Sequence, residues 1–233
     1  MKLYAGNPQD IHASAEEAAS ARAQLEMQLN GLDQQLGTAP AGSTRRAHIL
    51  LEKSQTLLHL ERNAEAWEPA REAFDLYLAA EAWEDAVAAA EALFLTEQEH
   101  ALAALGQGIW LAVTFPVSPE VTVEMLRRVV EETPEDSDGA AVAAAVAHYV
   151  ADLRSEDPKK RESLLFYTAQ MLSSVARRHS EVEGQEQFDA WMQRMELYEP
   201  EKFLVRMRNV VDVLVQDEWW FDREALQERL PAG

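Results

Sequence analysis

Apolar residues recur along most of the chain at intervals of three and four positions, which is the period of an amphipathic α-helix. Nowhere do β-branched residues alternate with polar residues over the length of a strand. We therefore expect an all-α fold of about eleven helices joined by short loops. The predicted helices span residues 14–37, 44–62, 64–78, 81–95, 97–113, 119 to the segment ETPEDSDG, 139–154, 158–179, 185–197, 200–216 and 222–229.

Four of these helices begin with a recognisable capping signal. Ser14 and Glu17 have the spacing of a capping box, which predicts the start of the first helix. Ser118 followed by Pro119 predicts an N-cap and a first helical residue. The segment SEDPKK repeats this signal with an Asp-Pro pair, and Asp222 is expected to cap the last helix.

Two nearly identical segments, EAWEPA and EAWEDA, occur sixteen residues apart. At about 3.6 residues per helical turn, this distance accommodates one short helix and a turn. We therefore interpret the segments as the two helices of one hairpin rather than as two complete repeat units. Trp67 and Trp83 would then face a shared core, and Ala70 and Ala86 would let the neighbouring backbone approach.

The hairpin resembles a tetratricopeptide repeat (TPR), whose first helix has the pattern W-x2-L-G-x2-Y and which ends near a proline. The matching positions are Trp67, Ala70, Arg71 and Phe74, then Trp83, Ala86, Ala90 and Leu93. The segment LAALGQGI and the helix after it repeat the spacing with Leu102, Leu105, Gly106 and Ile109, then Thr122, Leu126, Val129 and Pro134. A third pair, 139–154 with 158–179, would continue the stack. The resemblance covers about residues 64–180, and Arg71 replaces the family's glycine.

This resemblance implies antiparallel helical hairpins stacked as a TPR-like right-handed superhelix, whose concave face binds a peptide or another protein. The positions that would face the groove are Glu68, Glu72, Ala103 and Gln107. Because such a groove is acidic, the implied partner is a protein with a basic or apolar surface.

This interpretation divides the chain into three parts. The segment GTAPAGST is rich in small residues and is the best candidate for a hinge. It ends an N-terminal helix and linker over residues 1–43. A TPR-like helical-repeat region follows over residues 44–182. Residues 183–233 would form a C-terminal helical cap packed on the repeats.

Composition and charge restrict the partners further. The chain has 233 residues, 47% of them apolar, and can bury a substantial core. Its net charge of −20 argues against nucleic acid and anionic membrane as partners, because phosphate binding needs clustered Lys and Arg. The negative charge is concentrated in residues 61–138, with 18 acidic and 4 basic residues, whereas residues 151–208 contain 11 and 10. No apolar run reaches the length of a signal peptide or membrane span. We therefore expect a soluble cytoplasmic protein, and the sequence leaves its oligomeric state open.

The candidate chemical motifs are weak. The chain has no Cys, which excludes disulfides, thiolate ligands and a Cys nucleophile. In EQEH, Glu97 and His100 have the spacing used in di-iron bundles, but no second copy is present. His148 and Asp152 are one helical turn apart, which is typical of a simple hydrogen bond. We therefore assign no catalytic residue, no metal ligand and no cofactor.

The segment WWF near the C-terminus is the segment that most strongly suggests a structural or binding role. Three adjacent aromatic residues cannot all face one core from a single helix, so we expect Trp219, Trp220 and Phe221 at a corner between two helices. There they would fix the end of the domain; the alternative is that one Trp is an exposed anchor for a partner. The Met residues of WMQRM (191–195) are expected to fill the core, with an adaptable contact surface as the alternative.

The leading hypothesis is a non-enzymatic protein–protein interaction scaffold or assembly chaperone that binds a basic or apolar protein segment in an acidic helical groove. Its candidate partner-binding residues are Glu68, Glu72, Gln107, Trp219 and Trp220. One alternative is an enzyme or metal-dependent protein with a site between helices. The other is an acidic mimic of nucleic acid that binds a basic protein.

Overall fold

The structure, a computed structural model, describes residues 8–230, with side chains from residue 17 onward. Within that range the chain forms eleven helices and no strand, which confirms the predicted all-α fold. The helices are α1 (Pro8–Leu36), α2 (Thr44–His59), α3 (Asn63–Ala79), α4 (Trp83–Leu95), α5 (Ala101–Thr114), α6 (Pro119–Glu132), α7 (Asp138–Arg154), α8 (Pro158–Ser180), α9 (Gln185–Arg194), α10 (Pro200–Val215) and α11 (Arg223–Gln227).

The capping signals predict some helix starts correctly and one wrongly. Asp157 Oδ1 accepts hydrogen bonds of 2.9 Å from two backbone N–H groups in the first turn of α8, as predicted. Asp222 caps α11 in the same way. Ser14, in contrast, lies inside α1, which already begins at Pro8. The predicted helix start at Ser14 is therefore wrong.

Ser118 precedes α6, as predicted, but its side chain does not cap that helix. The Ser118 hydroxyl donates to Glu84 Oε1 over 3.1 Å, and its backbone N–H donates to Glu84 Oε2 over 3.0 Å. Glu84 lies in the first turn of α4. The serine therefore joins the starts of α4 and α6, because its hydroxyl and its backbone N–H both donate to a carboxylate distant in sequence.

The two EAWE segments fall on consecutive helices, as predicted, but at different structural positions. The first copy lies within α3, whereas in the second copy Glu81 belongs to the preceding turn and Trp83 is the first residue of α4. The ring of Trp67 lies 6.1 Å from that of Trp220, and Trp83 stacks on Phe115 at 3.9 Å. The two Trp side chains therefore meet different aromatic neighbours.

Three turns between helices share one backbone geometry with a glutamate in the left-handed region. After α2, two backbone N–H groups donate to carbonyls of the last turn in the pattern of a Schellman motif, and Glu61 has a φ of 59°. The turns after α3 and α9 repeat this pattern with Glu81 at 55° and Glu196 at 54°. Since a Cβ makes this region unfavourable, these turns are mildly strained.

Helices α2 to α8 pack in neighbouring pairs, each against the helix before it and the helix after it. Helices α2, α4, α6 and α8 also contact one another in series, so they form one layer, and α3, α5 and α7 alternate with them along the chain. Helix α10 returns to pack against α5 and α7. The right-handed superhelix and the relation to TPR proteins stay predictions.

Helix α5 is closely surrounded because it contains two glycines on different sides. A Cβ at Gly106 would lie 2.6 Å from Val215 Cγ2 and 2.9 Å from Leu214 Cβ, both on α10. A Cβ at Gly108 would lie 2.8 Å from the Cβ of Ala90 on α4. The missing side chains therefore let α4 and α10 approach the α5 backbone directly.

Small and flexible residues fill much of the remaining core. The buried residues of α7 are all Ala or Val. In WMQRM, Trp191, Met192 and Met195 are buried, so these Met residues fill the core as predicted. None of the helices between residues 8 and 230 combines the length and the apolar character needed to cross a bilayer.

Candidate protein-binding face

Residues 219–221 lie in the connection between α10 and α11 and pack on α3 and α5. Trp220 makes edge-to-face contacts with Trp67 and Phe74 of α3, with ring centroids 6.1 and 5.5 Å apart. All three residues of the segment are half-buried. The aromatic residues therefore occupy a corner between two helices, as predicted, and each keeps part of its surface exposed.

The other rings of the segment contact α5. Trp219 and Phe221 lie 6.0 and 5.3 Å from the ring of Trp110. The guanidinium of Arg71 lies over Trp220, 4.3 Å from the ring centroid. A cation over an indole face is attracted by the negative face of the ring, so Arg71 adds to the aromatic contacts.

Gln107 of α5 holds the main chain of the same segment. Its Oε1 accepts a hydrogen bond of 2.9 Å from the Trp220 N–H, and its Nε2 donates to Glu218 O over 3.4 Å and to Ala103 O over 3.3 Å. The side chain is fully buried. A buried amide needs partners for both its oxygen and its nitrogen, and here the segment provides one at each end.

The surface that receives the segment, called the α3–α5 face below, consists of Trp67, Arg71, Phe74, Gln107 and Trp110. Three acidic residues, Asp217, Glu218 and Asp222, flank the aromatic rings that bind it. Glu218 Oε2 lies 2.6 Å from His100 Nδ1, and Asp222 caps α11. The only charged residue of the face itself is Arg71, but residues 61–138 around it are strongly acidic, so their long-range repulsion acts on the acidic flanks of the segment.

The structure brings together only some of the predicted partner-binding residues. Gln107, Trp219 and Trp220 meet at the α3–α5 face. Glu72 Oε1 instead accepts a hydrogen bond of 2.6 Å from Arg46 Nε on α2, so its carboxylate is directed away from the face. Glu68 is exposed and forms no hydrogen bond or ion pair with another described residue.

Sequence reasoning missed Arg71 and Phe74 as residues of this face. Trp67, Arg71 and Phe74 are separated by four and three positions, so they share one side of α3. Glu68 and Glu72 lie one position further around the helix. The spacing of the large side chains is the signal in the sequence that identifies them, whereas the groove that the resemblance implies favours the acidic residues.

The chemical groups outside the face show no metal-site geometry. No cluster of His, Asp or Glu between residues 17 and 230 is arranged to hold a metal ion. His100 of the EQEH motif is directed to Glu218. Burial, with a smaller contribution from Asp85, raises the pKa of Tyr77 to about 12, so its hydroxyl stays protonated at physiological pH.

No family model, curated protein or solved structure matches this chain.

Proposed function

We propose that this protein is a non-enzymatic interaction scaffold whose α3–α5 face binds an apolar, aromatic segment of a partner protein. The observation that carries the proposal is the seating of the chain's own residues 218–221 on that face, with Gln107 bonded to their main chain. Nearly every residue offers the same main-chain groups, so hydrogen bonds from the Gln107 side chain to the main chain do not depend on the partner's sequence. The ring contacts, in contrast, favour aromatic residues. The face therefore suits an extended segment from another chain as well as its own.

Charge indicates which segment the partner offers. The internal segment carries acidic flanks, and residues 61–138 contain 18 acidic against 4 basic residues. A partner segment with the same aromatic residues and basic flanks would keep the ring contacts and reverse the sign of the long-range interaction. We therefore expect the partner to be aromatic with a basic rim, which agrees with the acidic groove expected from the sequence.

The internal segment must leave before a partner segment binds. Occupancy by residues 218–221 reduces the apparent affinity for the partner by the fraction of molecules in which the face is free. Trp220 has the closest ring contacts with α3, and its main chain is hydrogen-bonded to Gln107. Removing its side chain should therefore weaken the docking of the internal segment and expose the face.

The test uses full-length protein and two labelled peptides, DEWWFD and KKWWFK, in a fluorescence anisotropy titration. We expect the basic peptide to bind about tenfold more tightly at low salt, with an advantage that shrinks as NaCl is added. Trp220→Ala in the protein should increase the affinity for both peptides, because the competing internal segment is weakened.

Two further variants separate the face from general electrostatic attraction. In the Trp220→Ala background, Gln107→Leu should reduce the affinity for both peptides, whereas Glu68→Lys should reduce only the advantage of the basic peptide. Glu156→Lys, an exposed charge reversal between α7 and α8, is the matched control. The proposal is wrong if neither peptide binds at millimolar concentration, or if Trp220→Ala leaves both affinities unchanged.

A further inference from the structure

A second site lies away from the α3–α5 face, where α7, α8, α9 and the start of α10 surround a cavity of about 740 Å³. This volume lies within the range of about 300–1,000 Å³ that is typical of sites for small molecules. Its walls are largely apolar and include the rings of Tyr149, Phe188 and Phe203. The cavity opens beside Ala169, an exposed residue of α8.

His148 of α7 presents a hydrogen-bond acceptor to this cavity. The hydroxyl of Thr168 lies 2.9 Å from Leu164 O, and a Thr inside a helix donates to the carbonyl four residues earlier, so we assign its one hydrogen to that bond. With that assignment the same oxygen, 2.8 Å from His148 Nδ1, accepts a hydrogen bond from it. Nδ1 thus carries the hydrogen of the neutral ring, and Nε2 keeps its lone pair.

Nothing else in the described part of the chain hydrogen-bonds His148 Nε2. Burial lowers the pKa of His148 below its usual value, and the charge of Asp152 only partly opposes this effect. The ring is therefore neutral at physiological pH, which agrees with the hydrogen assigned to Nδ1. A half-buried acceptor without a partner matches a ligand that donates a hydrogen bond.

Asp152 lies one turn further along α7, on the same side of the cavity. Its Oδ1 is paired with Arg161 over 2.5 Å, which leaves Oδ2 as a second acceptor. At the α9 end of the cavity the exposed side chains of Arg177 and Glu183 carry opposite charges. The α7 side therefore combines two acceptors, one of them on a carboxylate, with neighbouring aromatic walls.

We propose that this cavity binds a small organic amine with an aromatic body. The ammonium group donates to His148 Nε2 and to Asp152 Oδ2, and the body packs between the rings of Tyr149, Phe188 and Phe203. Tyr149 and Phe203 already meet edge-to-face with centroids 5.7 Å apart, an arrangement to which a third ring or the cation itself can add. This inference is independent of the α3–α5 face.

The probe is phenethylamine, titrated into full-length protein and followed by calorimetry and by NMR shifts of the residues that line the cavity. The anionic analogue 3-phenylpropionate is the matched ligand control. We expect phenethylamine to bind at least tenfold more tightly than 3-phenylpropionate. Equal or tighter binding of the anion would overturn the proposal, because Arg177 would then determine the specificity.

Two variants locate the binding. Ala169→Trp places a large side chain at the exposed mouth and should abolish binding while leaving the melting temperature nearly unchanged. Asp152→Asn should weaken binding about tenfold, whereas Glu186→Gln, with the same change in net charge on the exposed side of α9, should not. If the two charge variants weaken binding equally, the amine is attracted by the overall negative charge and the cavity assignment fails.

Discussion

The two ends of α10 contact the rest of the molecule in opposite ways. At its C-terminal end, Val215 and Leu214 approach the α5 backbone at Gly106 so closely that a Cβ would not fit. At its N-terminal end, Phe203 borders the cavity of about 740 Å³ shared with α7, α8 and α9. One helix therefore closes one interface completely and leaves the other open.

The difference comes from side-chain size. Gly106 allows two helix backbones to approach, so that many weak dispersion contacts form over a small area. The larger rings of Tyr149, Phe188 and Phe203 line the cavity at the other end instead. Close packing serves to position the α3–α5 face, since α10 delivers residues 218–221 to it, whereas loose packing creates a space that a ligand can fill.

The largest expected effect is at the closed interface. Gly106→Val forces the side chain into Val215 and Leu214 and should lower the free energy of unfolding by about 3 kcal/mol, the upper range for overpacking. Gly31→Val in α1 is the control, because no atom lies within 4 Å of its Cβ position. Urea denaturation of both variants measures the difference. Equal stabilities would show that the α5–α10 contact is not tight.

Replacing each of two alanines with leucine extends the comparison to the cavity. Ala90→Leu on α4, where the Cβ already faces Gly108, should cost about 2 kcal/mol. Ala145→Leu projects from α7 into the cavity and should change the free energy of unfolding by less than about 1 kcal/mol. Thermal melts of both proteins provide the measurement. A large loss for Ala145→Leu would mean that the cavity cannot accept added volume.

Two turns, at Glu61 and Glu181, have a similar positive φ but different charged surroundings. Glu61→Gly relieves a positive φ of 59° and should stabilise the protein by about 1 kcal/mol. Glu181→Gly relieves a φ of 51° but also removes a negative charge three and four positions from Arg178 and Arg177 in the last turn of α8, so its gain should be smaller.

Chemical denaturation at low and high NaCl distinguishes the backbone effect from the charge effect. The gap between the two variants should close at about 1 M salt, where charges are screened within roughly 3 Å. As the control, Glu52→Gly within α2 should destabilise the protein, because glycine is unfavourable inside a helix. A gap that persists at high salt would mean that the charged surroundings do not cause it.

The smallest expected effect concerns the pH dependence at the cavity. Burial lowers the folded-state pKa of His148, and the charge of Asp152 only partly opposes this shift. Below about pH 6.5, the usual pKa of histidine, the unfolded chain therefore binds more protons than the folded chain. The contribution of His148 is therefore fully present above that pH and is lost as the pH falls through the lowered pKa.

Unfolding curves between pH 7.5 and 5 for the wild type and His148→Gln test this sign. The wild type should lose stability more steeply with acidification than the variant, because only the wild type carries the buried imidazole. NMR titration of the His148 ring gives the pKa directly. A value above 6.5 would reverse the prediction and remove support for the neutral ring at the cavity.

Much of the secondary structure could be predicted from sequence because it depends on near neighbours. Asp157 and Asp222 cap their helices through residues two and three positions away, and the apolar spacing predicts the helices that they begin. The candidate site was harder to predict. The TPR resemblance predicts Gln107 as a groove position, but its partner Trp220 lies 113 residues further along the chain.

Ser118 is a second residue whose contact is decided by a partner distant in sequence. Its local pattern predicts a side-chain cap, which does not form, and its hydroxyl donates to Glu84, 34 residues earlier. The two copies of EAWE show it again, since identical letters fall inside α3 in one case and at the start of α4 in the other.

Helix content, most helix boundaries and the uneven distribution of charge thus follow from the amino-acid order alone, because each depends on composition or on residues within one or two turns. The return of α10 to α5, the seating of residues 218–221 and the cavity beside His148 arise only in the folded chain. Their physical reason is steric fit between distant segments: a glycine, a buried amide or a ring has a defined role only once a neighbour from elsewhere in the sequence lies against it.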